Sequence, residues 1–261
     1  MIKLRLDVLL TERGLVESRA LAQRLVMAGQ VRVAGQVVLK PSAQVAEDAL
    51  VAVEHGPKYV SRGGDKLEAA LAAFDLLDLG GRVCADVGAS TGGFTDCLLQ
   101  HGAGHVFALD VGYGELHWKL RNDSRVTVME RTNARNVVGF PRPVELVTVD
   151  ASFISLRILL PVIRGWLQSG QVVALIKPQF EAGRQDAAKG QGVIRDPEVH
   201  RQVLLDVLTT AELLGFGVEG LIRSPLLGPK GNTEFLARLS YPGEIFLNLG
   251  EWVEKVVADS S

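Results

Sequence analysis

The stretch 83–99, VCADVGASTGGFTDCLL, constrains the fold more than any other part of the sequence. A short apolar run closes on Asp86, a loop with glycines at 88, 92 and 93 follows, and apolar residues then recur at helical spacing. Strand, tight loop and helix in that order make the ligand-binding corner of an α/β sheet. Gly88, Gly92 and Gly93 let the backbone take positive φ and come close to a ligand, and the first N–H groups of the helix can receive a carboxylate or phosphate.

The loop, Gly88-Ala89-Ser90-Thr91-Gly92-Gly93, lacks the G-x-G-x-x-G spacing that cradles a dinucleotide pyrophosphate, which disfavours NAD. A ligand bearing both a carboxylate and an ammonium suits it better, with loop amides on the first and Asp86 on the second. S-adenosylmethionine has both groups. The next apolar run, HVFAL at 105–109, ends in Asp110, where a carboxylate can accept hydrogen bonds from ribose hydroxyls. Ser90 in the loop and Phe94 at the start of the helix complete the expected cofactor-binding set.

A chain of 261 residues that is 47% hydrophobic has room for a domain of about 200 residues and a smaller one. No apolar run approaches the roughly 18 residues of a membrane span, and MIKLRLD has no apolar signal region, so a cytoplasmic protein is expected. Cys84 and Cys97 read as small core residues. The net charge of −2 is uneven: residues 1–66 carry ten Lys or Arg against seven Asp or Glu.

Within that basic segment, Leu6, Leu9 and Leu10 share one face of a helix expected over 5–13, and a second helix is expected to start at Ser18 and stop at Gly29. An alternating run around Ala34-Gly35 reads as a hairpin, with a further strand at 50–53. These residues, RLDVLL…SRALAQRLVMAGQVRVAGQVV, resemble the S4 RNA-binding domain, an α+β module assigned to 1–55. The resemblance implies an RNA-facing basic surface of Arg5, Arg19, Arg24 and Arg32. Residues 56–64, rich in glycine, read as a linker to a second domain at 65–261.

Elements then alternate as in a doubly wound sheet, with strands expected at 82–86, 105–110, 126–130, 144–150, 171–177, 217–223 and 235–240, and helices at 65–74, 93–101, 155–168 and 197–214. The connection 225–231 is too short for a parallel crossover, so the last strand should run antiparallel. Asp150 and Lys177 then end strands at the carboxyl edge, and Glu234 and Lys66 arrive at that same edge from the antiparallel strand and the preceding helix.

In order, Lys66, Asp150, Lys177 and Glu234 match the Lys-Asp-Lys-Glu set of FtsJ-like ribose 2′-O-methyltransferases. With an S4 module in front, and with SRGGDKL, DVGASTGGFTD, VDASFISL, IKPQFE and GNTEF, the chain resembles the TlyA, or hemolysin A-like, family of ribosomal RNA methyltransferases. That resemblance implies a Rossmann-like, seven-stranded domain, S-adenosylmethionine as methyl donor, ribosomal RNA or ribosomal subunits as partner, and a cytidine ribose as acceptor. A ribose hydroxyl is a poor nucleophile, so the protein must align it and manage one proton. Lys177 is the expected residue for deprotonating or orienting it, Lys66 for steering the nucleotide, and Asp150 and Glu234 for holding the lysines; no metal is required. Phe153 and Phe180 are candidates to stack on an extruded base, and the loop 181–195, with Arg184, Lys189 and Arg195, is a candidate to close over RNA. Two rival readings are an RNA-binding protein with a non-catalytic methyltransferase fold and a membrane-active hemolysin. The five histidines, His55, His101, His105, His117 and His200, read as structural or exposed.

Overall fold

The computed structural model describes residues 3–54, 56–183, 191–245 and 248–258, and the chain divides into two compact units, 1–58 and 59–261. His55, Arg184 and Lys189 lie outside the described residues.

In the first unit, β1 (Lys3–Arg5) pairs antiparallel with β4 (Gln44–Ala46), and β2 (Val31–Val33) lies between β3 (Gln36–Val37) and β5 (Val51–Val53). Ala34 and Gly35 both have positive φ, 47° and 82°, and so turn β2 into β3 with the twist that a two-residue hairpin demands. Helix α1 (Leu6–Glu12) starts one residue later than expected because Lys3–Arg5 is strand. The Ser18 hydroxyl caps α2 (Arg19–Met27) by accepting the Leu21 N–H at 3.2 Å. Leu6, Leu9, Leu10, Ala22, Val26 and Val31 fill the core beneath these helices.

The second unit begins at Tyr59, so residues 59–64, read from sequence as linker, belong to it. Tyr59 is 2% exposed, the Val60 N–H donates to Asp96 Oδ2 at 3.0 Å, and α3 (Gly63–Ala73) starts two residues before Asp65. The glycines signalled a hinge, but Gly64 has another use: a side chain there would run into the Tyr59 ring.

Strand β6 (Val83–Val87) leads through the glycine loop into α4 (Gly93–Gln100), followed by β7 (His105–Leu109), a short α5 (Trp118–Arg121), β8 (Val126–Met129) and β9 (Leu146–Val149). Then come α6 (Leu156–Trp166), β10 (Gly170–Ile176), the short α7 (Pro178–Glu181), α8 (Pro197–Leu213), β11 (Gly217–Arg223), β12 (Phe235–Tyr241) and α9 (Leu249–Ala258). The seven strands stand in the order β11-β12-β10-β9-β6-β7-β8, with β12 antiparallel to both neighbours and the others parallel, as the short connection before it requires.

Strand alternation feeds two cores. Val172, Ala174 and Ile176 of β10 meet α6, α8 and α9 on one face, while Val173 and Leu175 meet α3 and α4 on the other. The chain runs outward from β6 to β8 and then returns to place β9 on the other side of β6. That reversal opens a crevice at the carboxyl ends of β6 and β9, where ligands bind in folds of this kind. Among the described residues no helix is long and apolar enough to cross a membrane.

Candidate active site

The loop after β6 is held from both sides. The Gly88 and Ala89 N–H groups both donate to Leu109 O, at 2.9 and 3.0 Å, and the Ser90 N–H donates to Asp110 Oδ2 at 2.7 Å. Gly88 has φ +84°, and a Cβ built there would lie 2.6 Å from the Asp150 carbonyl oxygen, so backbone passes backbone with no room for a side chain. Two adjoining hollows open beside it, of about 630 and 370 Å³, sharing Gly88, Ser90, Asp150 and Ser152 in their walls.

The larger hollow is bordered by Asp110, Thr132, Asn133, Arg135 and the 150–155 loop. Its size suits a nucleoside-bearing ligand. Asp110 sits at its edge with both carboxylate oxygens engaged by backbone N–H groups, of Ser90 and of Gly112. The smaller hollow contains Lys66, Lys177 and Glu234 together with Gly93 and Phe94. Gly93 and Phe94, expected at the cofactor, therefore border the other half, and Gly92 borders neither but carries the turn at φ +97°.

Asp86 differs most from expectation. It is wholly buried and reaches neither hollow; Oδ2 accepts from Thr95 Oγ1 at 2.7 Å and Oδ1 from Thr148 Oγ1 at 3.0 Å. Burial pushes its carboxyl up to about 7, against the two hydroxyl hydrogen bonds that pull it down, and the Asp150 charge adds to the rise. Its carboxylate faces these two hydroxyls rather than either hollow. It joins β6, the first turn of α4 and β9 beneath the loop.

Lys66, Asp150, Lys177 and Glu234 do come together, as two ion pairs. Lys66 Nζ lies 2.6 Å from Glu234 Oε2 across 168 residues of sequence, and Lys177 Nζ lies 2.5 Å from Asp150 Oδ1. Both lysines are buried, and Glu234 Oε1, itself buried beside Gly228, has no hydrogen-bond partner among the described residues. Lys177 Nζ also donates to Ser152 Oγ at 3.1 Å. Glu181 fastens the 150–155 loop from its far end, accepting from the Ser155 hydroxyl at 2.5 Å and the Leu156 N–H at 2.7 Å. Burial raises the Glu181 carboxyl, opposed by those same bonds. Phe153, next to Ser152, is 91% exposed with φ +64°, and its ring lies 4.9 Å from that of Phe180. Ser152, Asn133 and the Ser61–Arg62 pair were missed from sequence, although the 130–135 segment following a strand end carried the positional signal that singled out Asp110.

The FtsJ-like methyltransferase description matches residues 59–241, and the S4 domain description matches residues 4–51. The chain belongs to the FtsJ-like methyltransferase family. Within it, a candidate rRNA methyltransferase of Bacillus subtilis, YqxC, is 48% identical over 250 residues, covering 93% of this chain and 87% of that one. The 16S/23S rRNA (cytidine-2′-O)-methyltransferase TlyA of Mycobacterium tuberculosis is 46% identical over 236 residues, covering 88% and 87%. The solved structure of a candidate hemolysin from Streptococcus thermophilus superposes with a TM-score of 0.72 at 43% identity, covering 100% of this chain and 96% of that one.

In the S4 domain the expected RNA-facing arginines divide. Arg5 and Arg19 both bind the wholly buried Asp7, at 2.9–3.0 and 3.1 Å, beside Gln23 at 2.8 Å. The Arg5 guanidinium first, then Gln23 and Arg19, hold the Asp7 carboxyl well below the usual carboxylate range. These two arginines therefore tie the strand–helix corner together while remaining partly exposed. Arg32 pairs with Glu54 at 2.5 Å, and Arg24 is exposed on α2. Among the described residues no group of three His, Cys, Asp or Glu could hold a metal ion.

Proposed function

We propose that this chain transfers a methyl group from S-adenosylmethionine to a ribose 2′-hydroxyl of ribosomal RNA, with a cytidine as the target nucleotide and the cytoplasm as its place of action. The supporting observation is the pair of adjoining hollows, one sized for a nucleoside and the other holding two lysine–carboxylate pairs, which meet at Asp150 and Ser152. The glycine loop fits the cofactor because Gly88, with no side chain, lets the loop close against the Asp150 backbone at the edge of the crevice. Gly88, Ser90 and Asp110 would hold it there. When bound, it supplies a methyl group already activated for attack.

The chain's own residues then have one acceptor and one proton to manage. With its nitrogen fixed by Asp150, Lys177 orients the 2′-hydroxyl while it is an ammonium and, once it has given a proton to solvent, receives the hydroxyl proton as the neutral amine. Lys66, held by Glu234, places a positive charge where the nucleotide's oxygen gathers negative charge. Two carboxylates matched to two amines keep the buried group near neutrality, which limits the cost of desolvating it. The S4 domain brings the RNA, with Arg24, Arg32 and the exposed parts of Arg5 and Arg19 contacting phosphates; such contacts position the substrate without reading its sequence.

The deciding experiment follows tritium from labelled cofactor into unmethylated ribosomal subunits. Wild type should label a ribose 2′-oxygen. Lys177→Ala should lose transfer by at least about 100-fold while binding S-adenosylhomocysteine as tightly as wild type. Full turnover by a folded, cofactor-binding Lys177→Ala protein would remove Lys177 from the chemistry, and absence of transfer by wild type would favour a non-catalytic RNA-binding role.

A further inference from the structure

Ser152 stands where the two halves of the cleft meet, is open to solvent, and lies outside the four-residue set. Its placement matters because of how the Lys177 nitrogen is surrounded. Asp150 offers Oδ1 at 2.5 Å and its carbonyl oxygen at 3.4 Å, and Ser152 offers Oγ at 3.1 Å. Three acceptors use all three N–H bonds of an ammonium. A neutral amine has only two N–H bonds and one lone pair, so the direction in which that pair points depends on which acceptors keep their hydrogens.

Resting on the function proposed above, we infer that Ser152 is a positioning residue for methyl transfer: its hydroxyl accepts one N–H of Lys177 and, with Asp150, fixes the rotation of the amine about its Cε–Nζ bond at the junction of the two hollows. Ser152 neither gains nor loses a proton. The ribose 2′-oxygen gains the methyl group that the cofactor's sulfur gives up and loses its hydrogen to the lone pair of Lys177 Nζ, which enters the step as the neutral amine after losing a proton to solvent, while the Ser152 oxygen keeps its own hydrogen, which can donate to the bound nucleotide.

The surrounding loop is built to hold this hydroxyl still. Asp150 ties its near end to Lys177, and Glu181, four residues after Lys177 in the same β10–α7 segment, ties its far end through Ser155 and Leu156. Between those ties, Phe153 takes φ +64°, a conformation in which a phenylalanine persists only when its surroundings fix it, and its ring meets Phe180 of that same segment. Ser152 is thus carried on a loop fastened at both ends to the β10–α7 segment that bears Lys177. An ordinary surface serine would need no such fastening.

The test uses the full chain, unmethylated ribosomal subunits and labelled S-adenosylmethionine under single turnover, with cofactor affinity measured by calorimetry and RNA affinity by filter binding. Ser152→Ala should slow single-turnover transfer by about 10- to 100-fold while both affinities stay within about twofold of wild type. Ser152→Thr keeps the hydroxyl and should recover the rate to within about fivefold of wild type. Intact cofactor affinity in both variants shows that the fold survives. A Ser152→Ala rate equal to wild type, a rate loss matched by lost RNA affinity, or a Ser152→Thr variant as slow as Ser152→Ala would each overturn the inference. If Lys177→Ala turns over normally, the reading beneath has failed instead, and Ser152 falls with it.

Discussion

Replacing Asp86 with asparagine tests whether the carboxylate beneath the cofactor loop is a structural group. The side chain is wholly buried and its two oxygens are taken by Thr95 and Thr148. Burial raises its carboxyl from 3.8 to about 7. The sign of the consequence follows from linkage. A folded-state value above the unfolded one means that the native state holds the proton more tightly, so the stabilising effect is complete below pH 3.8 and is lost as pH climbs through about 7. Between about pH 4.5 and pH 8 the loss comes to about 3 kcal/mol, at 1.36 kcal/mol per unit of displacement.

Asparagine has the same shape, can accept from Thr148 and donate to Thr95, and does not titrate. Stability of the D86N protein relative to wild type should therefore rise by about 3 kcal/mol over that interval. Asp150, the charged neighbour that adds to the rise in Asp86, is present in both proteins, and the depressed Asp7 of the S4 domain titrates below the interval. Urea unfolding followed by tryptophan fluorescence is the suitable assay, since Trp118, Trp166 and Trp252 all lie in the second unit. A D86N-minus-wild-type difference that stays constant to within about 1 kcal/mol across the interval would refute the reasoning, because it would mean that Asp86 is ionised in the native state throughout.

Gly88→Ala should weaken S-adenosylhomocysteine binding by at least about tenfold in calorimetry, since a Cβ at φ +84° and 2.6 Å from the Asp150 carbonyl oxygen must push the loop and the Asp150 backbone apart. Phe153→Ala removes a side chain that is 91% exposed and so should change urea stability by less than about 0.5 kcal/mol. If the ring stacks on a target base, RNA affinity should fall by about 1–3 kcal/mol in equivalent free energy; a slower single-turnover rate with RNA affinity unchanged would assign the Phe153–Phe180 pair to holding the loop that carries Ser152.

The order of the elements could be read from the sequence because it rests on local signals: apolar runs of strand length, the glycine loop, and a connection too short to cross the sheet. All seven expected strands of the large sheet form within two residues of their expected ends. Helix α9 was missed although Leu249, Val253, Val256 and Val257 recur at helical spacing; the stretch is rich in β-branched valine, and the α8 and β11 surfaces that this face covers are not marked by any local signal. The same limit explains Asp86. An acid at a strand end reads as facing a ligand, but β6 and β9 run in register so that Asp86 sits directly opposite Thr148, and the α4 turn brings Thr95 over it. Which hydroxyl captures which carboxylate is decided by pairing across 62 residues, and local sequence holds no record of that pairing. Convergence of the four ionisable residues was legible because topology alone brings them to one edge. Their division into Lys66–Glu234 and Lys177–Asp150 was not, since it depends on ångström differences between strand ends. Ser152 falls into the second class. Two residues past Asp150 it is one of the two serines in DASFIS, and it becomes chemically distinct only when Glu181 and the strained Phe153 hold its loop against the segment bearing Lys177.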